Sequence, residues 1–129
     1  MRYLILAALA AFFSSAHAQS VPEVGQIVTV PLMVCDTEEA WGYVWDVHKD
    51  AGTEAGAQAL NLLTEQISES GERLCGVMQG PWMILHTVRT GWLRFGAVEK
   101  WTVITRLQHQ NGKFYFALLN SDKDQRTAM

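Results

Sequence analysis

The sequence predicts an α+β domain: an N-terminal strand, two helices packed on one face of an antiparallel β-meander, and one disulfide. The hydrophobic period changes from helical to alternating near Gly76. The chain's two cysteines, Cys35 and Cys75, bracket the helical stretch. Asn111-Gly112 is a hairpin signal set between two apolar segments. A chain of 129 residues with 49% hydrophobic and 18% charged side chains has room for one packed domain, and this composition excludes a disordered or collagen-like chain.

Residues 1–18 read as a signal peptide. Arg2 precedes an apolar run from Tyr3 to Phe13, and Ala16-His17-Ala18 is a small-x-small cleavage site. The run is shorter than the roughly twenty residues a membrane span needs, so no transmembrane anchor is expected after cleavage. Residues 19–129 are then a single exported domain, periplasmic or secreted. In an oxidising compartment Cys35 and Cys75 pair, since there is no other cysteine. Closing that loop is worth about 3–4 kcal/mol in the chain-entropy model.

The domain opens on Gly25–Val34, a β-branched strand that Pro31 places at an edge or a bulge. Asp36 with Glu39 has the form of a capping box, and the helix behind it lines up Trp41, Val44, Trp45 and His48 on one face. Gly52 ends that helix. Thr53 can cap a second one, running to about Ser70 with Gly71 as its stop and with Gly56, Leu60, Leu63 and Ile67 facing inward. Leu62 falls off that stripe.

Strands are expected at 82–89 and 92–109, with a turn at Thr90-Gly91 and a break near Gly96 or Glu99-Lys100. A two-residue type I′ turn at Asn111-Gly112 sets Gln110 opposite Lys113 and Leu107 opposite Phe116. The core face is then Trp101, Val103, Leu107, Phe114, Phe116 and Leu118. The tail from Asn120 is polar and expected to fray.

Charge divides the chain. Residues 19–75 carry a net −8 and residues 76–129 a net +4, the mark of acidic helices beside basic strands. The basic half has no Lys/Arg cluster, so nucleic acid is not an expected partner.

Val34-Cys35-Asp36-Thr37, a helical stretch, then Leu74-Cys75-Gly76-Val77 and a β-rich remainder resemble small two-cysteine exported proteins of proteobacteria. The resemblance implies a periplasmic domain and brings no site residues with it.

Chemistry is sparse. No serine lies in a Gly-x-Ser-x-Gly turn, and the Asp46/Asp50 and Glu65/Glu69 pairs have the spacing of a solvated helix face. His48, His86 and His109 lie too far apart in sequence for a metal motif, so neither a metal nor a cofactor is expected. His48, beside Trp41 and Trp45, reads as a hydrogen-bonded core histidine, and His86 as an inward residue alternating with Ile84 and Val88. Five tryptophans are the surplus. Trp92, placed after a glycine turn between Arg89 and Arg94, is the candidate exposed contact, with those two arginines as its binding neighbours. The expected function is therefore a non-catalytic binding or protein-interaction domain with an envelope protein or glycan as partner. The alternative is an envelope glycan binder or, further off, a cell-wall hydrolase.

Overall fold

The computed structural model describes residues 21–69 and 71–121. The predicted signal peptide and the tail beyond Ser121, expected to fray, lie outside the described residues.

The chain forms β1 (Ile27–Val28), β2 (Leu32–Cys35), α1 (Glu38–Ala51), α2 (Thr53–Thr64), β3 (Cys75–Met78), β4 (Trp82–Phe95), β5 (Val98–His109) and β6 (Phe114–Asn120). All six strands join one antiparallel sheet in the order β1-β4-β5-β6-β2-β3. The predicted α+β class holds, with both helices packed on the sheet and a Cys35–Cys75 bond at the base of the helical excursion.

Connectivity forces the sheet to curl. In a flat sheet β1 and β2, four strands apart, would be separated by about 19 Å. The chain from Val28 to Leu32 reaches at most about 14 Å. The link from Met78 to Trp82 meets the same limit. Both are satisfied because 27–35 and 75–83 run as one bent antiparallel pair. Ile27 faces Met83, Leu32 faces Met78 and Cys35 faces Cys75, all in one register. The pair breaks where Pro31 and Pro81 remove ladder donors. His109 Nε2 donates to the Gln79 carbonyl at 2.8 Å and ties down that crossing. The predicted single strand over 25–34 is thus two strands at opposite ends of a half-barrel sheet, β1 at one edge and β2 next to the other.

Curling gives the sheet two buried faces. Leu32, Val34, Trp82, Ile84, Leu107, Tyr115 and Ala117 share the concave face by register, with Trp82 edge-on to Tyr115 at 5.7 Å. The convex face carries Met33, Cys35, Ile104 and Leu118 beneath the helices, whose Trp41, Val44, Trp45, Leu60 and Leu63 complete the second layer of core. Runs such as Thr102–Thr105 and Ala117–Asn120 are accordingly buried at every position.

The helices depart from expectation only at their ends. Thr37, not Asp36, caps α1, its hydroxyl accepting from the Ala40 amide at 3.2 Å, so no capping box forms. Trp41, Val44, Trp45 and His48 are buried as the spacing requires, and Gly52 ends the helix. Helix α2 stops at Thr64, short of Ser70, because the Thr64 carbonyl is taken by the Arg73 guanidinium at 2.8 Å. Ile67 is therefore exposed rather than on the inner face, while Leu62 is exposed as its position implied.

Three β-half expectations are corrected. Thr90-Gly91 is not a turn: β4 runs unbroken to Phe95, and the reversal is at Gly96-Ala97. Gly96 has φ +66° and Ala97 has no positive φ, the signature of a two-residue turn with Gly first. At the other hairpin only Gly112 has positive φ, and its amide donates to the His109 carbonyl at 2.9 Å. That is a three-residue loop with a glycine bulge, not type I′, and it slips the register by one. Leu107 faces Tyr115 rather than Phe116, so Tyr115 is buried while Phe114 is exposed and Phe116 only partly covered. Finally, Asn120 and Ser121 are buried rather than frayed.

Candidate functional site

Long strands β4 and β5 form an arm whose tip meets the corner between the two helices. The register of β4 carries two bulges, with Leu85 and Val88 as the extra residues. The first turns His86 outward beside Arg106, which corrects the expectation that it points in with Ile84. The second restores the alternation, so Trp92 shares the concave side with its cross-strand partner Trp101.

The three predicted contact residues are divided. Arg89 lies on the convex face, its Nη2 2.9 Å from Asp46 Oδ1 and its guanidinium 4.7 Å from the Trp45 ring centroid. It holds α1 against the arm, and, being exposed, the ion pair contributes little. Trp92 and Arg94 sit together on the other side of the strand, opposite Trp101 and Glu99. Trp92 is half-buried rather than fully exposed: its ring meets Trp101 at 5.4 Å, inclined by 65°. Trp101, expected in the core, is also only partly covered.

Between the helical corner and the arm tip lies a cleft of about 450 Å³, lined by His48, Lys49, Thr53, Trp92, Arg94 and Glu99 among others. One carbonyl organises it. His48 Nε2 donates to Arg94 O at 2.6 Å, and Thr53 Oγ1 donates to the same atom at 3.3 Å while accepting from the Gly96 amide at 3.1 Å. The His48 ring also packs on Phe95 at 4.5 Å. The core histidine inferred from the helix face is therefore the bolt between α1 and the arm. Replacing it with phenylalanine keeps a ring but removes the donor. His48→Phe is expected to cost about 1–3 kcal/mol, read by urea denaturation.

His48 and Thr53 have their polar atoms on backbone, and Lys49 and Arg94 are left as the cleft's cations. Neither enters an ion pair among the described residues. The three histidines among the described residues are on different elements, His48 and His109 bonding separate carbonyls. Among the described residues no group of three His, Cys, Asp or Glu side chains gathers into a metal-binding set.

Sequence reasoning missed Lys49, Thr53 and Glu99, which lie far from Trp92 or across a turn from it. The Gly96-Ala97 turn was the available signal: placing the reversal there pairs Trp92 with Trp101 and Arg94 with Glu99.

A second surface lies elsewhere on the sheet. Ile27, Met83 and Phe114 form one cross-strand row on the convex face, each more than 40% exposed, with the Arg106 guanidinium 4.2 Å from the Phe114 ring. No helix among the described residues is long and apolar enough to cross a membrane. No family model, no curated protein and no solved structure matches the chain.

Proposed function

We propose that this protein is a non-catalytic binding domain of the cell envelope, periplasmic by its leader and its disulfide. Its ligand occupies the cleft at the arm tip. One observation carries the reading: Trp92 and Arg94 meet Lys49 in a concave site, while the histidine and hydroxyl there are committed to the Arg94 carbonyl. Groups tied to backbone serve as framework rather than as base and nucleophile, which favours binding over hydrolysis. The paired indoles on one side of the arm favour a glycan ligand. A protein partner is the second reading, supported by the exposed Ile27, Met83 and Phe114 row.

Trp92→Ala tests the site. It is expected to abolish retention of envelope material on the immobilised protein while lowering stability by only about 0.5–1.5 kcal/mol, the worth of one aromatic pair. Phe114→Ala, at the other surface, should leave retention intact. The opposite pattern, with Phe114→Ala losing the material and Trp92→Ala keeping it, would move the contact surface to the convex row and overturn the reading.

A further inference from the structure

We infer that the ligand of the arm-tip cleft is an acidic sugar, a pyranose ring carrying a single carboxylate; this rests on the reading of that cleft as a binding site. Size comes first. A concavity of about 450 Å³ lies in the range of small-ligand sites and suits one or two rings rather than a protein surface.

The indole of Trp92 at the wall supplies a flat apolar face for the C–H side of a sugar ring, and Trp101 fixes its orientation from across the strand pair. Charge supplies the rest. Lys49 is the only lysine or arginine on either helix, and it sits in this cleft. Its place in the last turn of α1 also suits the helix dipole. The dipole accounts for the lysine but not for Arg94, which comes from β4 to line the same space. Arg94 is exposed and can present its planar fork to a carboxylate.

Glu99 on the neighbouring strand lines the same cleft. Among the described residues the lining has two cations and one carboxylate, a formal +1, which a monoanion balances and a phosphate dianion exceeds. An anionic ring on an otherwise acidic chain, net −3, needs such a local reversal of sign.

Calorimetric titration of the purified protein with methyl galactopyranosiduronate and with its methyl ester, which keeps the ring and loses the charge, tests the inference. The acid is expected to bind about tenfold or more tightly than the ester. Arg94→Gln should erase that difference with the thermal midpoint unchanged, and Lys49→Gln should reduce it. Trp92→Ala should remove binding of both saccharides. Equal binding of acid and ester would overturn the acidic-sugar inference while leaving the cleft as the site. Failure of both saccharides to bind would overturn it too, and so would displacement of the acid by equimolar inorganic phosphate. If protease treatment of the envelope material then abolishes its Trp92-dependent retention, the ligand is a protein and the cleft reading survives alone.

Discussion

Trp41→Ala is expected to lower stability by about 3–5 kcal/mol, the cost of emptying a large aromatic site in a packed core. Trp41 is fully buried between α1 and the sheet, and its indole N–H donates to the Phe116 carbonyl at 2.8 Å. Alanine removes the ring and leaves that carbonyl without this donor. For a domain of this size each kcal/mol moves the thermal midpoint by roughly 4–8 °C, so the midpoint should fall by more than about 12 °C. Calorimetry of the variant beside Trp92→Ala gives the contrast. If Trp92→Ala proves the more destabilising, the arm tip is core and its role as a contact surface is lost.

Removing the disulfide should have a comparable effect. Cys35 and Cys75 close a loop with a sequence separation of 40, worth about 4 kcal/mol by chain entropy. Net stabilities of small domains are about 5–15 kcal/mol, so this is a large fraction. The double variant Cys35→Ala/Cys75→Ala is expected to unfold at a much lower urea concentration with a steeper loss of the helical excursion. A fall of under ~1 kcal/mol would mean that the β2–β3 ladder and the Asp36 amide bond to Leu74 O at 2.8 Å close the loop unaided. Both sulfurs are in buried residues, 0% and 1% exposed, so reductant should act only on unfolded molecules. Alkylation with reductant present should therefore follow the unfolding rate, as mass measurement at intervals would show.

Helical periodicity was enough to identify the buried face of α1, because a helix covered on one side must repeat its apolar residues every three to four positions. Trp41, Val44, Trp45 and His48 obey that rule and are buried. The cysteine pairing was equally readable, since two thiols leave one choice. The strand faces were not. Alternation distinguishes inside from outside only when one face of a sheet meets solvent, and here the curl buries the second face. Ile104 and Leu118 lie under helices while Val103 and Leu119 fill the concavity, so consecutive residues are buried and the period vanishes. The asparagine-glycine pair announced a hairpin, but a single-residue change in loop length inverted every face of β6.

The arm-tip cleft depended still more on three dimensions. Trp92 and Arg94 were visible as a local pattern, and their cross-strand partners followed once the turn at Gly96 was placed. Lys49 and Thr53 join them from helices about forty residues earlier in the chain, through the bond from His48 to a backbone carbonyl of β4. Sequence by itself determined the helical face, the cross-link and the charge of each half, because those arise from neighbours in the chain. Which side each strand shows, and which cations share a cleft with Trp92, were decided by the curl of the sheet and the docking of α1. Those follow from contacts between residues far apart in sequence, and no local pattern encodes them.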